Sequence, residues 1–234
     1  MNNFTFCITY WAHPEFLEIC LDSVNKFHPH SPIIISQQIE NDFNYKQPGS
    51  SDKVRIEYHD MKNTQWASVA TNLMMVCQTD YAVFMEHDVF LLKSLGPLMN
   101  QVVDGKYDLI GPEEICNIRN SPGMVAQNFF IINVKKMKEE GLGKIWVRNA
   151  EEVSKTCKNM ESGYGISQTL TNKKLMKMVE SGYGHGTYYD NYAHHQWYGS
   201  YRKRETLLTD LVPRDWLEEE AQRTITDYKN GTFK

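Results

Sequence analysis

The sequence predicts an α/β protein built on a mostly parallel, doubly wound sheet flanked by helices, and three observations lead there. Short apolar, β-branched runs alternate with stripes of helical spacing. The first run, stripe and second run form a βαβ unit, whose strands lie parallel in nearly all such connections. Two apolar runs end in polar clusters, where open parallel sheets bind their ligands.

The elements follow in order. Phe4 to Thr9 is a strand run closed by Tyr10-Trp11-Ala12-His13-Pro14, with Pro14 suited to a helix's first turn. Phe16, Leu17, Cys20, Leu21, Val24 and Phe27 recur at helical spacing and predict a helix packed on the sheet. Pro32 to Ser36 is the second strand, Gln37 to Asp52 reads as loop, and Val54 to Tyr58 supplies a third strand. Trp66, Val69, Ala70, Leu73, Met74 and Cys77 mark another helix, which feeds the strand Tyr81 to Met85. Beyond Glu86-His87-Asp88 the pattern gives a helix around Leu95 to Val103, strands near Tyr107 to Ile110 and Gln127 to Ile132, and a helix near Val134 to Glu140. The sheet is thus expected within the first 135 residues. The acidic stretch Asp215 to Glu220 is compatible with a C-terminal helix.

The 234 residues suffice for one α/β domain with a sizeable core, and no break in composition divides them. A single domain is expected, with residues 1–110 as a ligand-binding first half and 111–234 as a second half that ends in a C-terminal closing segment. A net charge of −4 argues against a nucleic-acid partner held by broad phosphate neutralisation. Five cysteines without C-x-x-C spacing suggest neither a disulfide framework nor a zinc ribbon. With no basic leader and no run of about 18 apolar residues, a cytoplasmic protein without a membrane span is expected.

Chemistry is expected at the two strand ends, Thr9-Tyr10-Trp11 and Glu86-His87-Asp88. Two carboxylates two residues apart can divide the work of holding a metal-bound diphosphate, one facing sugar or ribose hydroxyls and one the cation. Mn²⁺ or Mg²⁺ suits such oxygen ligands and shares them with substrate phosphates. The plainer alternative is a solvated acidic turn that caps the following segment. Position after a βαβ series favours the metal.

These residues carry a family resemblance. Thr9-Tyr10-x-x-x-Pro14-Glu15-Phe16-Leu17-x-x-Cys20-Leu21-Asp22-Ser23 resembles the opening of the inverting GT-A glycosyltransferases of the large family two. Asn72, followed by Thr79-Asp80-Tyr81-Ala82-Val83-Phe84-Met85-Glu86-His87-Asp88, is similar to that family's Asn-bearing helix, strand and Asp-x-Asp stretch. The likeness spans roughly the first 95 residues as an ordered set. It implies that a nucleotide-sugar donor meets Thr9, Tyr10, Trp11, Asn72, Glu86 and His87, with Asp88 as the metal-contacting member. Two departures stand out: Ser36-Gln37-Gln38 replaces the acidic residues that many relatives direct at the base, and the Asp-x-Asp begins with Glu86.

The second half must supply the acceptor site and, for an inverting reaction, a general base for the attacking hydroxyl of a glycan or other acceptor. Met160-Glu161-Ser162-Gly163 resembles the family's acidic motif at a helix start, which implies Glu161 as base. A carboxylate there equally suits the helix dipole, and Glu113 or Glu114 could replace it. The segment Gly184 to Tyr198 is dense in histidine and aromatics, and a C-terminal histidine returning to the metal is a GT-A feature by resemblance; His194 and His195 rank above His185. Taken singly, each histidine fits a surface position on a half-buried aromatic strand. Trp197, Tyr198, Tyr201, Arg202 and Arg204 could close over a sugar diphosphate. A sugar-1-phosphate nucleotidyltransferase is disfavoured because no Gly-rich basic loop follows the first strand. A silent nucleotide- or carbohydrate-binding module is the alternative from another class.

Overall fold

The computed structural model describes residues 4–10, 13–38, 54–59, 66–113, 123, 125–141, 166–167, 169–183, 186–196 and 214–233. β1 (Phe4–Tyr10), α1 (Pro14–Phe27) and β2 (Ile33–Gln38) form the opening βαβ unit, followed by β3 (Val54–His59), α2 (Trp66–Val76) and β4 (Tyr81–Glu86). β5 (Val89–Leu91), α3 (Gly96–Val103), β6 (Leu109–Pro112), β7 (Phe129–Asn133) and α4 (Val134–Glu140) come next. β8 (Lys173–Met176), β9 (Met178–Glu180), β10 (Gly186–Tyr189), β11 (Ala193–Gln196) and α5 (Arg214–Lys229) complete the described elements. No helix among the described residues is long and apolar enough to cross a membrane.

Seven strands make the main sheet in the order β3-β2-β1-β4-β7-β6-β8. β1 to β4 run parallel, β7 opposes both its neighbours, and β8 returns parallel to β6. The sheet therefore does not end within the first 135 residues: Lys173–Met176 closes its edge. That strand is half-buried and only four residues long, too short to display a period of two. β2 runs on through Gln37 and Gln38, which the sequence assigns to loop.

Alternation along the central strands divides the core into two layers. Phe6, Ile8, Val83, Met85, Phe129 and Ile131 meet α1 and α3 residues such as Leu17, Val24, Leu98 and Val102. Cys7, Ala82, Phe84, Phe130 and Ile132 face the opposite way and meet Leu73 of α2 and Met137 of α4. Phe84 and Phe130, paired across β4 and β7, stack with ring centroids 4.8 Å apart. Gly111 lies where this layer leaves no room for a side chain: a Cβ there would collide with Val125 Cγ1 and come within 2.9 Å of the Phe129 carbonyl oxygen. Backbone cannot swing aside as a long side chain can. Gly111→Ala is therefore expected to cost about 2–3 kcal/mol of stability through overpacking, read as a lower urea midpoint, and an unchanged midpoint contradicts the packing argument.

A second, four-stranded antiparallel sheet has the order β5-β11-β10-β9. β5 follows β4 after only the two turn residues His87 and Asp88. The chain thus leaves the main sheet, turns at the acidic cluster and enters the second sheet.

Candidate metal and nucleotide-sugar site

Register aligns the carboxyl ends of the parallel strands, with Thr9 opposite both Ser36 and Glu86, and Tyr10 opposite Gln37. Glu86 ends β4, its amide donating to the Asn128 carbonyl at 2.9 Å. The His87 amide donates to the Thr9 carbonyl at 3.0 Å, and the His87 ring meets Tyr10 edge-on with centroids 5.7 Å apart. The two strand ends named by the sequence are therefore adjoining parts of one place.

The second sheet delivers the third component. β11 pairs with β5 so that His195 lies opposite Val89, and the Gln196 amide donates to the Asp88 carbonyl at 3.0 Å. His195 Nε2 stands 3.4 Å from Asp88 Oδ1 and 3.9 Å from Glu86 Oε2. One ligand atom from each of Glu86, Asp88 and His195 lies within 4.8 Å of the others, the one such acidic and histidine group found among the described residues.

Asp88 is buried, and its Oδ1 meets no hydrogen-bond donor. Burial pushes its carboxyl up, but the neighbouring His195 and His87 imidazoles outweigh this and hold it below the usual carboxylate range. An ionised, buried oxygen without a donor needs a positive partner. Two carboxylates and an imidazole fit a divalent cation, and the nitrogen ligand suits Mn²⁺ better than Mg²⁺. Glu86 is less enclosed, with about a fifth of its side chain exposed (21%).

His194 does not join this group. Adjacent strand residues face opposite ways, and its ring enters an aromatic cluster with Phe90, Tyr188 and Phe233 while Nε2 lies 2.9 Å from Ser181 Oγ. Both His194 and His195 are buried, which corrects the surface reading. Asn72 is half-buried on α2, beside Leu73 and Met74 of the core. Glu113 follows β6 in an isolated bridge to Val125, and its Oε1 accepts from the Gly123 amide at 3.2 Å. Trp11, Glu114, Glu161, His185 and residues 197–204 lie outside the described residues.

Two residues that sequence reasoning passed over complete the surroundings. The Tyr189 hydroxyl lies 2.7 Å from His195 Nδ1, and the Asn128 side chain contacts both. Tyr189 belongs to the aromatic, histidine-rich segment and could have been singled out there; Asn128 is one polar residue before an apolar strand and carries no such signal.

No protein-family model matches the chain, and no curated protein matches it in sequence. Its fold is similar to that of several solved glycosyltransferases. The galactosyltransferase LgtC, solved with donor and acceptor sugar analogues, is 15% identical with a TM-score of 0.54, the match covering 74% of this chain and 73% of LgtC. Residues 1–349 of S. aureus TarS, in complex with UDP, give 10% identity and a TM-score of 0.53 over 73% of this chain and 55% of that one. GlyE of Streptococcus pneumoniae TIGR4 gives 12% identity and 0.52 over 99% of this chain and 63% of its own. At such identities the likeness establishes the fold. It is the GT-A arrangement of a central, mostly parallel sheet flanked by helices.

Proposed function

We propose that this chain transfers a sugar from a nucleotide-sugar donor to a hydroxyl acceptor, assisted by a divalent cation held by Glu86, Asp88 and His195. One observation carries the reading: a buried carboxylate without a donor, a second carboxylate and a histidine from another sheet converge at the carboxyl edge of the parallel strands. The GT-A fold supports it, since LgtC was solved with donor and acceptor sugar analogues and TarS with UDP.

When bound, the cation, best Mn²⁺, supplies positive charge to a departing nucleotide diphosphate. Asp88 and His195 hold their side chains rigidly because both are buried, and Glu86, partly exposed, reaches the donor's hydroxyls. Tyr10, Gln37 and His87, side by side at the strand ends, border the space for the nucleoside. Glu161 is assigned as the base that takes the proton from the acceptor hydroxyl, giving transfer with inversion.

The test screens nucleotide-sugars for thermal stabilisation with and without Mn²⁺. One donor should stabilise the chain only with Mn²⁺, by about 2.7 kcal/mol at a hundredfold excess over its dissociation constant. Transfer to an acceptor panel should then give a product whose anomeric configuration, read by NMR, is opposite to the donor's, and Glu161→Gln should abolish it. No stabilisation by any donor sinks the reading. Binding without transfer identifies a silent module, and a retained configuration removes the role of Glu161.

A further inference from the structure

We infer that Thr224 and Gln196 are positioning residues through which α5, behind the second sheet, holds β11 against the Asp88 turn and so sets where His195 stands. The clamp is a property of the chain alone; its bearing on a divalent cation rests on the function proposed above.

Strand parity puts the helix and the candidate site on opposite faces of one sheet. Val89 and His195, paired across β5 and β11, point one way. Phe90 and His194, the neighbouring pair, point the other way, with ring centroids 5.0 Å apart, and Gln196 shares their side. α5 covers that side: its Ala221 and Ile225 pack with Phe90 and with Phe16 and Ile19 of α1.

Gln196 reaches from the helix through to the site. Its main-chain amide donates to the Asp88 carbonyl at 3.0 Å, while its side chain turns back to α5. Nε2 donates to the Tyr183 carbonyl at 3.3 Å, and Oε1 accepts from the Thr224 hydroxyl at 3.0 Å. A flipped amide would set its oxygen against the Tyr183 carbonyl, which fixes the orientation. The Thr224 hydroxyl also lies 2.8 Å from the Glu220 carbonyl, but that carbonyl accepts the helix's own amide in any case. Gln196 Oε1 has no other donor among the described residues. Gln196 and Thr224 are both buried, so water does not replace a lost partner.

α5 has anchors that do not depend on Thr224. The Tyr183 hydroxyl donates to Asp227 Oδ2 at 3.0 Å, the Arg223 guanidinium donates to the Gly182 carbonyl, and the Tyr228 hydroxyl donates to Asp22 Oδ2 at 3.3 Å. Losing one buried hydroxyl therefore leaves the helix docked and loosens the Gln196 side chain. The joint that Gln196 holds is a close one, with His195 Nε2 3.4 Å from Asp88 Oδ1. A small movement of β11 changes the spacing that a cation would bridge, and groups outside a ligand set act on affinity in this way.

Amide hydrogen exchange of the metal-free, full-length chain, read by NMR, tests the clamp. Thr224→Val keeps the branched shape and removes the hydroxyl; Thr224→Ser keeps the hydroxyl. In Thr224→Val the Gln196 amide should exchange about tenfold faster or more, while the amides of Cys7 and Val83 in the main sheet keep their native rates and Thr224→Ser matches the native chain. Unchanged exchange at Gln196 overturns the inference, and so does equal acceleration at all three amides, which would be a general loss of stability. If Thr224→Val fails to fold, Gln196→Met, which keeps the side-chain length and cannot bond to Thr224, takes its place with the amide of residue 196 as the same readout. Mn²⁺ affinity, measured by the loss of the free-ion EPR signal, should fall about tenfold in Thr224→Val and return in Thr224→Ser. Equal affinity in the native chain and Thr224→Val removes the positioning role. A native chain that binds no Mn²⁺, with Gln196 exchange responding as expected, keeps the clamp and discards the metal from the proposed function.

Discussion

Asp88→Asn is expected to lower sugar transfer by about 10³-fold or more, the equivalent of several kcal/mol of lost charge stabilisation at the leaving diphosphate. The variant should also lose the Mn²⁺-dependent part of donor binding. The substitution changes little else. Asparagine has the same outline, and the backbone carbonyl at this position keeps its bond from the Gln196 amide, so the join between β5 and β11 survives. What disappears is an ionised oxygen, buried and without a hydrogen-bond donor, replaced by an amide that gives a cation little charge. Steady-state transfer assays with and without Mn²⁺, beside near-UV circular dichroism to show an intact fold, check the outcome. Retained Mn²⁺-dependent transfer would exclude Asp88 from the reaction. Glu86→Gln should do less harm, because Glu86 is partly exposed and lies farther from His195.

The first half of this fold is legible because its strands are long enough to show their period. Phe4–Tyr10 and Tyr81–Glu86 alternate between the two core layers, and α1 presents its stripe to one of them. The second sheet is not legible, for two physical reasons. β5 and β9 are three residues each, and β5 pairs with β11 across some hundred residues of chain, which no local pattern encodes. The choice between His194 and His195 shows the same limit at the site. The two are chemically identical neighbours, and only strand parity decides which one meets Asp88. That parity is set by the turn after Tyr189, where Asp190 and Asn191 adopt positive φ of 46° and 56° and the Tyr192 amide donates to the Tyr189 carbonyl at 2.8 Å. An Asp-Asn pair between aromatic strand residues is a hairpin signal. A one-residue slip in this hairpin would exchange the two histidines.

His194, the one turned away, should make the protein acid-labile. Burial holds its imidazole down at about 3; the adjacent His195 adds to this and Asp88 opposes it. In the unfolded chain the same ring takes up a proton near pH ~6.5. Between these values the unfolded state binds one more proton than the folded one, so stability falls as pH is lowered and is fully present only above the upper value. The slope is roughly 1.4 kcal/mol per pH unit, several kcal/mol at the bottom of the window, against a total stability of about 5–15 kcal/mol for a domain. His87, buried with its imidazole also held down, contributes in the same direction. Urea unfolding between neutral pH and about pH 4 measures the loss, and His194→Phe isolates its source. Phenylalanine keeps the aromatic contacts with Phe90, Tyr188 and Phe233 but has nothing to protonate. The native chain should lose stability with a slope close to one proton steeper than the variant's. Equal slopes would mean that His194 finds a charged state the fold tolerates. Because His194 and His195 share β11, protonating the first works against the strand that carries the second, so acid should weaken the candidate metal site and the fold together.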